Sequence, residues 1–169
     1  MLPTMKGNIL PFFNQQKNKV KEMENKEKKL KRIYMQAIGF WFVLMILGIV
    51  NGIMRNDVYG PAIGNELLSH QISTVTGIAL FLAGMYVWLK WTNARYSKKD
   101  LLVIGVMWFG MTITFEFIFG HYIAGHPWSK LLADYNIFEG RVWSLVLLTI
   151  IVGPYFVGKY ILKGCTDAI

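Results

Sequence analysis

Four apolar runs of about 20 residues, separated by segments of charge, constrain this chain more than any other feature of its sequence. They cover residues 33–54, 67–89, 101–123 and 142–162. A helix of that length rises about 30 Å, the thickness of the hydrocarbon layer of a bilayer. The sequence therefore predicts an all-α fold, a bundle of four transmembrane helices in a multi-pass membrane protein.

Charge is scarce and is confined to the segments between these runs. Of the 169 residues, 54% are hydrophobic and only 17% are charged, against about 25% in a typical globular domain. We interpret residues 33–169 as one four-span membrane domain. Residues 1–32 precede it as a basic amphipathic segment whose Lys- and Glu-rich composition predicts a helix. Residues 55–66, which contain Gly60 and Pro61, are predicted to form the loop between the first two spans.

The basic residues lie on one side of a four-span arrangement. Residues 1–32 contain nine basic and three acidic side chains, residues 90–100 four and one, and residues 159–169 two and one. Cytoplasmic segments of membrane proteins are enriched in Lys and Arg, so we expect both termini in the cytoplasm and the protein in the cell (inner) membrane. This separation argues against nucleic-acid binding, which would place basic and aromatic residues together on one folded face.

The basic N-terminal segment indicates a lipid partner. Each Lys or Arg near an anionic leaflet contributes about 1 kcal/mol of attraction, so residues 1–32 are expected to rest against anionic lipid of the bilayer. Gly48 and Gly52, four residues apart in the first span, are typical of closely packed membrane helices. They leave open a membrane-protein partner or a homo-oligomer.

A short amphipathic helix is predicted between the third and fourth spans, on the extracytoplasmic side. Pro127 suits the first turn of a helix. Apolar side chains follow at helical spacing, at Trp128, Leu131, Leu132 and Tyr135. We expect this helix to lie on the outer surface of the bundle.

Ionisable and polar side chains gather toward the extracytoplasmic ends of the spans. Glu116 lies inside the third span, where an unpartnered carboxylate costs about 2.5 to 3.5 kcal/mol. We expect an ion pair with Arg141, which enters the fourth span from the same side; His70, the hydroxyl groups of the second span, or protonation of the carboxylate are alternatives. The candidate polar cluster comprises Glu66, His70, Glu116, His121, Tyr122, Asp134, Tyr135 and Arg141.

A metal site is the sharper hypothesis for the same residues. Glu66 and His70 are four apart on one helix face and could share an ion with Glu116 or His121, since mixed carboxylate and imidazole ligands suit zinc, iron or manganese. Glu116 and His121 are five apart, which suits one helix face only if the helix ends or bulges at Gly120. A haem between His70 and His121 is also conceivable. The sequence has no ExxH or HExxH motif, so we expect no metal and no cofactor.

One stretch, residues 115–148, resembles a known family. It is similar to a segment of a family of small uncharacterised bacterial multi-span inner-membrane proteins, to which no activity is assigned. The resemblance implies a bacterial inner-membrane protein. It depends on Glu116, Gly120, His121, Tyr122, Trp128, Asp134, Tyr135, Gly140, Arg141 and Trp143.

Three functions are compatible with these features. We favour a non-enzymatic structural, accessory or interaction protein, whose polar cluster holds the surface helix on the bundle. The alternative is an extracytoplasmic binding site for a ligand, an ion or a proton (a transport element), centred on Glu116. A metal-dependent membrane enzyme is the third. The sequence has no GxSxG motif and predicts no catalytic residue.

Overall fold

The computed structural model describes residues 9–92, 96–133, 135–136 and 142–163, with side chains from residue 12 onward. Within these residues the regular secondary structure consists of helices, with no β-strand. The helices are α1 (Ile9–Ile53), α2 (Gly60–Ile63), α3 (Glu66–Thr92), α4 (Lys98–Ile118), α5 (Trp128–Ala133) and α6 (Trp143–Phe156). Three π-helical turns extend α1, α4 and α6 in the described chain, at Met54–Tyr59, Phe119–Ile123 and Val157–Ile161.

Four helical segments are long and apolar enough to cross a membrane. They are Phe12–Ile63, Glu66–Thr92, Lys98–Ile123 and Trp143–Ile161. The predicted all-α fold with four membrane-length helices is therefore confirmed. The exact limits of the spans and the division into residues 1–32 and 33–169 stay predictions.

The chain forms two compact units, residues 1–37 and 38–169. In the first unit, residues 12–32 are helical and their side chains are exposed. These residues contain eight of the nine basic side chains of the N-terminal segment. An exposed helix of this composition depends on the intrinsic helix propensity of its residues.

In the second unit, α6 packs against both α3 and α4. Gly105 of α4 allows the closest approach, because a Cβ atom built there would lie 2.0 Å from the carbonyl oxygen of Ile151. Gly153 of α6 is similarly close to α3, with its built Cβ 2.6 Å from the sulfur of Met85. Small residues at such contacts bring helix backbones together and increase the van der Waals attraction between them.

An aromatic core joins α1, α3 and α4 in the same unit. The Trp88 ring centroid lies 5.4 Å from that of Phe40 and 5.4 Å from that of Trp108. Trp108 is fully buried. Tyr96, just before α4, packs on Trp88 and shares a hydrogen bond with Thr92; burial raises the pKa of the Tyr96 hydroxyl. A capping box, in which the Ser97 and Asp100 side chains bond each other's backbone N–H, then starts α4.

Candidate functional site

A cavity of about 280 Å³ lies among α1, α3, α4 and α6, near the last turn of α4. We call it the central cavity. Its polar lining comes from residues far apart in sequence: Asn51, Arg55, His70, Ser73, Glu116, His126, Tyr135 and Trp143. Polar side chains within membrane-length helices are most often functional, so this cavity is the candidate site.

Glu116 is half-buried on the cavity wall, in the last turn of α4. One carboxylate oxygen, Oε2, accepts a hydrogen bond from the Tyr135 hydroxyl. The other, Oε1, accepts one from the indole Nε1 of Trp143 at 2.9 Å. Two neutral donors from beyond the third predicted span therefore fix the carboxylate in place.

Arg141 and Asp134 lie outside the described residues, so the predicted Glu116–Arg141 ion pair stays a prediction. Within the described residues, the hydroxyl groups of α3 bind elsewhere. Ser73 and Thr76 bond to Asn51. Tyr135, a member of the predicted cluster, is one of the donors to Glu116.

Arg55 and His70 form a second polar pair on the same cavity. Arg55 Nη1 donates to His70 Nδ1 at 2.9 Å, and His70 is only 8% exposed. Arginine can only donate hydrogen bonds, so Nδ1 must be the acceptor and the ring hydrogen lies on Nε2. The π-helical turn Met54–Tyr59 contains Arg55; such turns occur frequently at functional sites.

Asn51 links α1 to α3 beside this pair. Its Nδ2 donates to the carbonyl oxygen of Ser73 at 2.8 Å and to the Ser73 hydroxyl at 2.9 Å. Its Oδ1 accepts from the Thr76 hydroxyl at 2.8 Å. The built Cβ of Gly77 would lie 3.1 Å from the same amide nitrogen, so the small residue provides the space for this contact.

Two further cavities adjoin the central one. A polar cavity of about 470 Å³ shares Arg55, His70 and His126 with it and also contacts Glu66 and Lys130. An apolar cavity of about 190 Å³ shares Gly48, Phe115, Glu116 and Trp143, and is otherwise bordered mainly by apolar side chains such as those of Leu44, Phe81 and Ile150. Glu116 thus lies where polar and apolar spaces meet.

His121 and Tyr122 lie outside these three cavities. His121 Nδ1 donates to the carbonyl oxygen of His126 at 3.0 Å, and the ring stacks on Trp128 with centroids 4.0 Å apart. Tyr122 is 73% exposed. The predicted cluster is therefore divided: Glu66, His70, Glu116 and Tyr135 line the cavities, whereas His121 and Tyr122 lie beside α5.

In the part of the chain that the structure describes, no set of side chains forms the metal site that the sequence suggests. No group of three or more His, Cys, Asp or Glu side chains lies close enough there to hold an ion. His70 uses Nδ1 to accept from Arg55, and His121 uses Nδ1 to donate to the backbone. The π-helical turn Phe119–Ile123 supplies the bulge at Gly120, but it directs His121 toward Trp128.

Comparisons with known proteins give no guide to the function of this chain. No model of a protein family, no curated protein and no solved structure matches the chain. The geometry of the residues that line the three cavities is therefore the basis for a proposed function.

Three residues of this site are absent from the cluster that the sequence predicts: Asn51, Arg55 and Trp143. Asn51 is one of two amide side chains of the first apolar run, with Gln36, and a polar side chain in such a run usually bonds to another helix. Arg55 lies in the segment that the sequence predicts to be a loop. Trp143 belongs only to the residues of the resemblance. A Trp near the end of a span is ordinarily an interfacial anchor, so its position alone does not indicate a site.

Proposed function

We propose that the protein is an integral membrane protein that binds a ligand non-covalently in the central cavity, from the extracytoplasmic side. One observation supports this most: the carboxylate of Glu116 is held by Tyr135 and Trp143 at the wall of a cavity rather than enclosed between packed helices. Arg55 and His70 present a cation and an imidazole to the same space. Acceptors and donors that converge on one cavity are typical of ligand sites.

The proposal includes a membrane topology. Both termini lie in the cytoplasm, four spans cross the cell membrane, and α5 lies at the extracytoplasmic surface. The excess of Lys and Arg in residues 1–32, 90–100 and 159–169 supports this orientation. The exposed basic helix of residues 12–32 would then face the anionic cytoplasmic leaflet.

A structural or accessory role is the second candidate, and a specific observation favours it. The two donors to Glu116 come from different places in the chain, Tyr135 after α5 and Trp143 at the start of α6. The carboxylate therefore ties α4 to both, and its role would be to position α5. The two functions differ in whether solvent and solutes reach the central cavity.

Labelling of single cysteines tests this difference. A Cys165→Ser background removes the one native thiol. Gly52→Cys then places a thiol on the central cavity, because nothing lies within 4 Å of its built Cβ and Gly52 lines that space. Gly110→Cys is the matched control: its built Cβ is equally unobstructed, but it lines none of the three cavities.

We expect a membrane-impermeant maleimide added outside intact cells to label Gly52→Cys and to leave Gly110→Cys unlabelled. A polar cavity that opens to the extracytoplasmic side requires this result. Labelling of Gly52→Cys only after the cytoplasmic face is exposed would reject the topology. Labelling from neither side would reject the binding site in favour of the structural role.

A further inference from the structure

We infer that the ligand is a single-chain amphiphile with a phosphate head, whose head binds at Arg55 and whose chain enters the apolar cavity. The inference rests on the proposed function, since it names the ligand of the same site. It follows from the order of the three cavities, from the charge of the residues around them, and from the size of the apolar one.

The three cavities adjoin one another in an order from polar to apolar. Arg55, His70 and His126 border both the polar and the central cavity. Gly48, Phe115, Glu116 and Trp143 border both the central and the apolar cavity. A ligand that fills the series must therefore be polar at one end and apolar at the other, as an amphiphile is.

The apolar cavity is large enough for part of one hydrocarbon chain. It measures about 190 Å³ and lies among side chains such as Leu44, Met45 and Ile150. An apolar protein cavity of about 150 Å³ stays dry and accepts benzene, a molecule of six carbons. One chain segment of similar size fits, whereas two parallel chains do not, which favours a single-chain ligand.

Arg55 is the reason to assign an anionic head. Within the described residues its hydrogen bonds go to two neutral acceptors, His70 Nδ1 and Asn56 Oδ1. A guanidinium group that borders two cavities and has no described carboxylate partner is suited to an anion. Its planar fork matches the oxygens of phosphate, and such charge-assisted bonds are among the strongest in proteins.

The polar cavity favours phosphate over carboxylate. A phosphate monoester carries a charge of about −1.5 to −2 at neutral pH. Two cationic side chains, Arg55 and Lys130, border this cavity together with His126, against one described carboxylate, that of Glu66. The three oxygens of a phosphate can accept hydrogen bonds from Arg55, Lys130 and His126 together, whereas a carboxylate offers only two oxygens.

Glu116 determines which end of the ligand goes where. Its two oxygens act as acceptors for Tyr135 and Trp143, so the border of the apolar cavity presents acceptors to an approaching ligand. Phosphate oxygens are acceptors too and are disfavoured there. The head therefore stays at Arg55, and only the chain passes Glu116 into the apolar cavity.

Fluorescence quenching in phosphatidylcholine nanodiscs tests the inference on the full chain. Trp41 and Trp143 line the apolar cavity, so a brominated chain bound there quenches their emission. The probe is bromododecyl phosphate; bromododecanol supplies the chain without the head, and inorganic phosphate supplies the head without the chain. We expect saturable quenching by bromododecyl phosphate, only a non-saturating decrease with bromododecanol, and weak competition by inorganic phosphate.

Two variants test the contributions of the phosphate head and of the hydrocarbon chain separately. Arg55→Gln should weaken binding of bromododecyl phosphate about tenfold or more, as expected for loss of hydrogen bonds to a charged group. Gly48→Leu should abolish saturable quenching, because Gly48 borders both the central and the apolar cavity. Gly110→Leu, at a site with nothing within 4 Å of its built Cβ, is the matched control and should bind normally.

Three outcomes would overturn the inference. Equal saturable quenching by bromododecanol would show that the head contributes nothing. Competition by inorganic phosphate at the concentration of the amphiphile would show that the site takes the head alone, which leaves the proposed function standing. Absence of saturable quenching in the native protein would reject an amphiphile, while labelling of Gly52→Cys reports separately on whether the central cavity is open.

Discussion

The hydroxyl of Tyr135 donates a hydrogen bond to Oε2 of Glu116, on the wall of the central cavity. Trp143 donates to the other oxygen of the same carboxylate. The two donors differ in one respect that matters for mutagenesis. A phenolic hydroxyl can also accept a hydrogen bond, whereas an indole N–H can only donate.

Glu116→Gln should therefore be much milder than Glu116→Leu. The glutamine oxygen can accept from Trp143 while its amide donates to the Tyr135 oxygen, so we expect a loss below about 1 kcal/mol. Leucine leaves both donors without this acceptor and should cost about 1 to 3 kcal/mol. Unfolding by denaturing detergent measures both, with Thr114→Val on the exposed face of α4 as the control. Equal losses for Gln and Leu would instead support the ion pair with Arg141 that the sequence predicts.

Gly105→Ala should destabilise the protein more than any other single methyl group added to α4. The built Cβ lies 2.0 Å from the carbonyl oxygen of Ile151, and backbone atoms cannot rotate aside as a side chain can. We expect a loss of about 3 kcal/mol, at the upper end for overpacking. Gly110→Ala on the same helix meets nothing within 4 Å, and its higher helix propensity should keep stability equal or raise it by up to about 1 kcal/mol. Equal effects of the two variants would contradict the close packing of α4 on α6.

Hydropathy was sufficient to predict the helices because the thickness of a bilayer sets their length. It was not sufficient between the first two spans, where a loop was predicted at residues 55–66. There, Pro61 lies in the first turn of α2, a position that requires no backbone N–H. The helix ends only at Gly64, which has a φ of +67°. Arg55 is consequently held on a helical turn that directs it to His70.

Four residues of the predicted cluster, Glu66, His70, Glu116 and Tyr135, line the cavities. Polar and ionisable groups in an apolar bundle avoid lipid, which is why the sequence could group them; their role as a site stays a prediction. The donors to Glu116 were not predictable from spacing, since Tyr135 and Trp143 lie on either side of residues 137–141 in the chain. Gly48 and Gly52 both border the central cavity. A Cβ built on Gly48 would lie 3.4 Å from the Phe81 ring of α3, whereas one built on Gly52 has no described atom within 4 Å.

Asn51→Leu should loosen α1 from α3. It removes the two bonds to Ser73 and the one from Thr76. Hydrogen bonds between membrane helices average about 0.6 kcal/mol each, so we expect a loss of about 1 to 2 kcal/mol by the same unfolding measurement. Thr76→Val removes only one of the three bonds and should cost about a third as much. A loss for Thr76→Val as large as that for Asn51→Leu would contradict this additive bridge.

His70 and His121 should carry the ring hydrogen on opposite nitrogens when neutral. His70 accepts from Arg55 at Nδ1 and so is protonated on Nε2. His121 donates from Nδ1 to the carbonyl oxygen of His126, which requires hydrogen on Nδ1. Two-bond nitrogen–proton correlation spectra of histidine distinguish the two forms, and His70→Gln and His121→Gln assign the signals. Arg55→Met removes the donor to His70 and should shift its signals, while those of His121 stay unchanged. If His70 carried hydrogen on Nδ1, Arg55 could not bond to it, and the guanidinium group would not be held in its place on the central cavity.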